Sequence, residues 1–296
     1  MPRILITGGN GFIGQHLIKK LVTDSENEII NIDIKPALFD YSNKVTNVQA
    51  DIRNSSTFRD LVKVDEVYHL AAQTSSILSE QDPQDDITTN ILGTLNICEY
   101  ALRSDSLITF ASSMAIYGNG NVHVETPPSP KSTYGITKLA AEQLVRKFFS
   151  ASGRYRISRL FNVYGPGQDL QNLNQGMLSI FSAMAISQNA ITVKGSKART
   201  RDFIHVSDVV DHWISGQNFA QISNVGTGKS TSVEQLVSMI QNILKPNTIP
   251  IIYETGFRED VDTIRCLDPV IKGPISLSNF GLNEFIEWAK GELTCM

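Results

Sequence analysis

The chain has 296 residues, 41% of them hydrophobic and 19% charged, with a formal net charge of -4. That length buries one large core or two modest ones, the composition is that of an ordinary globular protein, and the lack of a basic run argues against a nucleic-acid partner. No apolar run reaches membrane-spanning length, and the start, Met1-Pro2-Arg3-Ile4, has neither the hydrophobic stretch nor the cleavage site of a secretion signal.

Arg3-Ile4-Leu5-Ile6-Thr7 is a short apolar run that stops at Gly8 and reads as a buried strand. Gly8-Gly9-Asn10-Gly11-Phe12-Ile13-Gly14 follows, then Leu17, Ile18, Leu21 and Val22 at helical spacing. Strand, glycine turn and helix in this order form a pyrophosphate cradle. Glycines at 8, 11 and 14 permit a tight turn and close backbone approach, and the helix start carries partial positive charge. The second strand, 28–33, ends in Asp33, about twenty residues after the glycines, where an acid meets the adenosine ribose hydroxyls and repels a 2′-phosphate. Asp33 argues for NAD over NADP, with Lys35 close by as the one counter-signal.

A third strand, 47–52, carries Asp51 and Ile52 at its end, and this acid either faces the adenine or caps the next helix. A fourth, 65–72, runs through His69 and Leu70 into Ala71 and Ala72, whose small side chains let a cofactor pass close to the backbone. Residues 82–103 show a helical period through Ile87, Ile91, Leu95 and Cys98, which puts Asn90 on the less apolar side. The fifth strand, 107–111, ends at Ser112-Ser113, and a Pro- and Gly-rich loop, 118–130, leads to Tyr134-Gly135-Ile136-Thr137-Lys138. On a helix, positions i and i+4 share one face, so the Lys138 ammonium lies near the Tyr134 hydroxyl. A nearby positive charge favours the phenolate, which makes such a tyrosine a general base. A sixth strand, 156–162, ends at Asn162.

This alternation predicts an α/β fold: a Rossmann-type, doubly wound parallel sheet covered on both faces, with its ligand at the carboxyl ends of the strands. Asp33, Ala71, Ser113 and Asn162 all fall at such ends. After Gly165-Pro166-Gly167 the rhythm changes to a helix at 177–186, a strand-like run at 201–206, a turn at 224–228 and helices at 232–244 and 282–290. The domains expected are a NAD-binding domain of 1–165 plus about 199–228, and a smaller, interleaved C-terminal substrate domain of 166–198 and 229–296. Gly228-Lys229-Ser230 is similar to the end of a phosphate loop, but Ser223 stands where its first glycine is required. The cysteines, Cys98, Cys266 and Cys295, are odd in number and lack metal-ligand spacing, which suits reduced thiols in a metal-free cytoplasmic protein.

Taken together these motifs resemble the extended short-chain dehydrogenase/reductases, in particular the NAD-dependent nucleotide-sugar epimerase/dehydratase group typified by UDP-galactose 4-epimerase. The resemblance rests on six ordered segments: 7–14, His69-Leu70-Ala71-Ala72, Asn90-Ile91-Leu92-Gly93-Thr94, Ser112 to Gly118, the Tyr134/Lys138 pair with Arg159 to Pro166, and Arg201 to Val206. It implies that Gly8, Gly11, Phe12, Ile13, Gly14, Asp33, Asp51, Ile52, Leu70, Ala71, Ala72 and Asn90 hold NAD together with Tyr134 and Lys138. Tyr134 is then the general base and acid, Ser113 hydrogen-bonds the same sugar oxygen, and Lys138 holds the nicotinamide ribose and lowers the Tyr134 pKa. Asn162, Arg201 and Arg258 join Ser113 and Tyr134 as contacts of a nucleotide-diphosphate sugar, most simply a UDP-sugar. The plainer alternatives are a strand-end cap for Ser113 and surface ion pairs for Arg201 and Arg258.

Two departures bear on the chemistry. Where 4,6-dehydratases carry Asp-Glu after the serine or threonine, this chain has Met114 and Ala115, which cannot transfer protons. The family's Arg-x-Gly-Asp is here Arg258-Glu259-Asp260-Val261. The reading is C4 epimerisation of a UDP-hexose or UDP-N-acetylhexosamine through a 4-keto intermediate, as in polysaccharide biosynthesis. The alternatives are a 4-ketoreductase or dehydrogenase, an atypical dehydratase, and a non-catalytic NAD- or nucleotide-sugar-binding sensor. The resemblance also implies a homodimer joined through helices 82–103 and 134–150, with Leu139 and Phe149 outside the core-facing stripe.

Overall fold

The computed structural model describes residues 2–24, 27–37, 43–173, 176–187, 190–215, 221–244, 249–254, 263–271, 273–275 and 277–294. Its elements begin with β1 (Arg3–Thr7), α1 (Phe12–Asp24), β2 (Glu28–Asp33), β3 (Val45–Gln49), β4 (Glu66–His69), α2 (Ser76–Gln81), α3 (Pro83–Ile87) and α4 (Gly93–Ser104). Next come β5 (Leu107–Ser113), β6 (Gly120–Val122), α5 (Thr133–Phe149), β7 (Tyr155–Leu160), β8 (Asn162–Tyr164), α6 (Met177–Ile186), β9 (Ile191–Lys194) and β10 (Thr200–His205). The rest are α7 (Val206–Ile214), β11 (Ile222–Val225), β12 (Ser230–Ser232), α8 (Val233–Leu244), β13 (Ile251–Glu254), β14 (Ile264–Cys266) and α9 (Leu282–Thr294). Among the described residues no helix is long and apolar enough to cross a membrane.

Two compact units form: Met1–Tyr117 with Pro128–Leu160 and Trp213–Ser223, and Gly118–Pro127 with Phe161–His212 and Asn224–Met296. The large sheet runs β11-β7-β5-β4-β1-β2-β3, and the pairs from β3 to β7 are parallel. This is the doubly wound Rossmann order, whose switch point lies between β1 and β4. Parallel strands covered on both faces must be apolar throughout, and Ile4, Leu5 and Ile6 are each at most 3% exposed. Ile97, Cys98 and Tyr100 of α4 and Val145 and Phe149 of α5 pack onto Leu5, Val67, Ile108, Phe110 and Ile157 of the sheet. Phe149 is thus a core residue, not the surface residue expected. It lies four residues past the buried Val145 on the same stripe as Lys138, Ala141 and Glu142, so helical spacing itself turns it inward.

In the second unit β8 and β10 pair in parallel and β10 and β12 antiparallel. Tyr164, Phe181, Leu236, Ile240, Phe285 and Ile286 form its own core.

Three elements depart from the expected pattern. The third strand covers 45–49, so Asp51 and Ile52 lie beyond it. The sixth splits: β7 ends at Leu160 in the large sheet and Asn162 opens β8 in the three-stranded one, so Asn162 is not a carboxyl-end residue of the large sheet. The 82–103 helix is also broken, because Thr88–Leu92 is a π-turn between α3 and α4. One extra residue per turn rotates Asn90 inward, and it is 2% exposed rather than on the polar side.

Candidate active site

The switch point is built by close packing. Gly8 has φ +76°, and a Cβ there would lie 2.6 Å from the Ala71 nitrogen. A Cβ on Gly14 would collide with the Gly8 carbonyl oxygen, so the turn and the start of α1 tolerate no side chain at either place. Gly11 N donates to Gly8 O at 3.1 Å, closing the turn beneath the first-turn N–H groups of α1, which have no intrahelical partner. Phe12 and Ile13 are half-buried in that first turn. At the end of β2 the buried Asp33 carboxylate accepts from Asn10 N and Lys35 N, both at 2.9 Å. Each of its oxygens keeps a lone pair for a ribose hydroxyl. A cradle that a Cβ would fill, open N–H donors and a fixed acid together fit a dinucleotide.

Not every expected cofactor residue keeps its side chain free. Asp51 pairs with Arg53 at 2.6 Å, which holds its carboxyl below the usual range, and Asn54 rather than Asp51 caps the following turn. Ile52 is buried against Gly93, where a Cβ would meet its Cδ1 at 2.5 Å. Leu70 N donates to Thr7 O and Ala71 N to Thr7 Oγ1, and Leu70, Ala71 and Ala72 stay half-buried.

Ser113, Tyr134 and Lys138 come together because β5 ends where α5 begins. Ser132 caps α5 by accepting from Gly135 N, and a Cβ on Gly135 would lie 2.6 Å from the Ala115 carbonyl oxygen. The first turn of α5 therefore seats directly on the 114–116 turn. The Ser113 hydroxyl accepts from Ala115 N at 3.2 Å and also hydrogen-bonds the Tyr134 side chain, so it is a strand-end cap and a partner of the phenol at once. Burial pushes the Tyr134 phenol up to about 12, with the Ser113 hydrogen bond pulling it down and Asp86 adding to the rise. The depression expected from Lys138 is not among the effects on the phenol, and burial dominates. Lys138 is 3% exposed, its Nζ 4.4 Å from the Phe110 ring centroid. Burial lowers its ammonium to about 8, against the pull of Glu142 and Asp86.

Several residues around the pair were not singled out from the sequence. Glu142 lies four residues past Lys138 on the same helical face, a spacing that would have found it. It is fully buried, takes a two-pronged ion pair from Arg159 at 3.0 and 2.9 Å and accepts from the Ser112 hydroxyl at 2.5 Å. Arg159 also donates to the Tyr117 hydroxyl at 2.7 Å.

His69 is buried with Nδ1 2.8 Å from Thr7 Oγ1 and Nε2 2.9 Å from Thr94 Oγ1. Thr94 spends its own proton on Asn90 O at 2.6 Å, which assigns the proton of the ring to Nε2. Burial and the nearby Lys138 push His69 down to about 3, so the ring is neutral. Asn90 Nδ2 in turn reaches Thr137 Oγ1 at 3.1 Å, while its Oδ1 accepts from Gln73 N.

In the second unit, Asn162 is paired across the strands with Phe203, and its Nδ2 donates to Asp202 O at 3.2 Å. Arg201 is 8% exposed, which removes the surface ion-pair reading, and one guanidinium nitrogen donates to Thr200 O. Arg258 lies outside the described residues.

The family model for the NAD-dependent epimerase/dehydratase family matches residues 4–224. A putative UDP-glucose 4-epimerase of Methanocaldococcus jannaschii is 36% identical over 268 residues, 86% of this chain and 83% of that one. UDP-glucuronic acid decarboxylase 6 of Arabidopsis thaliana is 34% identical over 261 residues, 83% and 75% of the two chains. Among solved structures, UDP-glucose 4-epimerase of Thermotoga maritima with UDP-glucose superposes with a TM-score of 0.89 at 28% identity, over 98% of this chain and 99% of that one. With a glycine cradle and acid that fit the dinucleotide, and a family match over most of its length, the chain is a member of the NAD-dependent epimerase/dehydratase family and takes NAD as its cofactor.

Proposed function

We propose that the protein is a 4-epimerase of a UDP-sugar, either a UDP-hexose or a UDP-N-acetylhexosamine. The observation that carries this is the half-buried Ser113 with the buried Tyr134 and Lys138, and Met114 and Ala115 beside them, because Tyr134 is then the one side chain of that turn and helix start fitted to move a proton at the sugar. Redox at a single carbon needs one such group, whereas 4,6-dehydration needs more. Tyr134 as phenolate takes the proton of the C4 hydroxyl, the Ser113 hydroxyl donates to the developing alkoxide, and Lys138 holds its positive charge beneath both. Bound NAD supplies the hydride acceptor at C4, and its ring charge favours the phenolate that burial alone disfavours. After the 4-keto sugar turns over, Tyr134 returns its proton to the C4 oxygen; with NAD bound, the hydride taken from C4 would be the one given back to the other face, so no external reductant would be needed. By resemblance, Asn162, Arg201 and Arg258 are assigned to the nucleotide diphosphate.

Exposed Ile87 and Leu92 around the π-turn, Leu102 on α4 and Ile136 on α5 support a homodimer, measurable by sedimentation equilibrium.

The test is to incubate the protein with NAD and UDP-glucose, UDP-galactose, their N-acetylated counterparts and UDP-glucuronic acid, reading products by proton NMR and the NADH absorbance band. An epimerase gives C4 epimers with no net NADH. Release of carbon dioxide from UDP-glucuronic acid would move the assignment to decarboxylation, and net NADH would move it to a dehydrogenase. In the active assay Tyr134→Phe should lose roughly a thousandfold or more in turnover, and near-normal activity would remove Tyr134 from its role.

A further inference from the structure

One buried acid has no part in the reaction above. Asp86, in α3, is 0% exposed. Its Oδ1 accepts from Gln73 Nε2 at 2.6 Å and from Asn90 Nδ2 at 3.3 Å, and its Oδ2 accepts from the Thr137 hydroxyl at 2.5 Å. Thr137 sits in the helical turn between Tyr134 and Lys138, so the carboxylate grips the backbone segment that carries the pair. Three neutral donors satisfy its hydrogen-bonding capacity without cancelling its charge. Burying an ionised carboxylate without a countercharge is costly enough that it would normally protonate.

The charges around Lys138 identify the countercharge. From its own helix come Tyr134 and Glu142, from β4 His69, from β7 Arg159, from the end of the 114–116 turn Tyr117, and from α2 Glu80, which accepts from Thr133 N. Glu142 is neutralised by Arg159 through two hydrogen bonds. Arg159 reaches Tyr117 as well. His69 is neutral, locked between Thr7 and Thr94. Glu80 is bound at the exposed helix start. Glu142 still exerts the larger pull on the Lys138 ammonium, and the Asp86 carboxylate is the second acid that favours it, joined to the lysine's own helical turn through the Thr137 hydroxyl.

We propose that Asp86 is a positioning residue, a buried countercharge that clamps the Tyr134–Lys138 turn through Thr137 and keeps the Lys138 ammonium charged during turnover. Asp86 ends a polar chain that starts at the cofactor turn: Thr7, His69, Thr94, Asn90, Thr137, Asp86. Every link but the last is neutral, so the chain fixes geometry and Asp86 alone adds charge. The inference rests on the roles given above to Tyr134 and Lys138.

The sign of its effect is definite. Removing a negative charge near an ammonium makes the ammonium easier to deprotonate, so the alkaline limb of activity moves down in pH. Asp86→Asn keeps the shape and an acceptor but not the charge. Its profile of kcat/KM against pH, measured with the nucleotide sugar that the protein turns over, should show the alkaline limb about one pH unit lower, a roughly fivefold extra loss at pH 9 relative to pH 7. A uniform loss with unmoved limbs would mean structural support only and would overturn the proposal.

A second measurement needs no substrate and so stands even if the epimerase assignment fails. Lys138→Met leaves Asp86 buried without a countercharge, and adding Asp86→Asn should restore part of the lost melting temperature. Additive losses in Asp86→Asn, Lys138→Met and the double variant would overturn the proposal, as would a double variant that fails to fold.

Discussion

Two buried carboxylates act on the same lysine, one from its own helix α5 and one from α3, and they are handled differently. Glu142 is held by the Arg159 guanidinium in a fork geometry and belongs to the join between α5 and β7. Asp86 is held by an amide, a second amide and a hydroxyl, all neutral, on the side of α3 and the π-turn. Both acids are fully buried and both favour the Lys138 ammonium, so partner chemistry separates them by what their removal strands: a guanidinium at Glu142, neutral donors at Asp86.

The comparison breaks most plainly at Glu142. Glu142→Gln leaves Arg159 buried without its partner and should cost about 3–5 kcal/mol by urea unfolding, more than Asp86→Asn, whose removal strands no guanidinium. Equal losses would erase the distinction. Packing can be separated from charge at Gly135, since a Cβ there meets the Ala115 oxygen and Pro130. Gly135→Ala should shift α5 away from Ser113 at about 1–3 kcal/mol, lowering turnover without moving either pH limb, and a displaced limb would show that spacing rather than charge sets the titration.

The smallest effect concerns the third buried titratable group. The folded-state pKa of His69 is depressed to about 3 from 6.5, so the unfolded chain binds a proton between those values that the native one does not. Stability from this source is complete above pH 6.5 and falls as the pH drops toward 3, by about 1.4 kcal/mol at pH 5.5. His69→Gln should flatten the slope of unfolding free energy against pH by one proton in that window, whatever its own cost, and an unchanged slope would show that the ring is charged in the native state.

Much of this was legible in the sequence, for physical reasons. Period-two and unbroken apolar runs mark buried parallel strands wherever they occur, so β1, β2, β4 and β5 and their order along the chain were readable. Glycines where backbone meets backbone leave a pattern that does not depend on distant residues, which is why the turn at 8–14 could be read locally. Ser113, Tyr134 and Lys138 were readable because two lie on one helical turn and the third ends a strand. Asn90 was misplaced because a π-turn changes the helical period, and a fixed 3.6 period cannot report it. Phe149 was misplaced although its period was readable, since it follows the buried Val145 by four residues on the same face. Asp86 was invisible for a stronger reason: its sequence context, Pro83-Gln84-Asp85-Asp86, is that of an ordinary solvated helix start.

The sequence by itself determined the layered α/β architecture, the dinucleotide turn and the tyrosine–lysine pair, since each is encoded by residues within a few positions of one another. Only the tertiary structure decided which acids surround that pair and in what state. Gln73, Asp86, Asn90, Thr137, Glu142 and Arg159 come from separate segments, and the ionisation of a buried group depends on what folding places against it rather than on its neighbours along the chain.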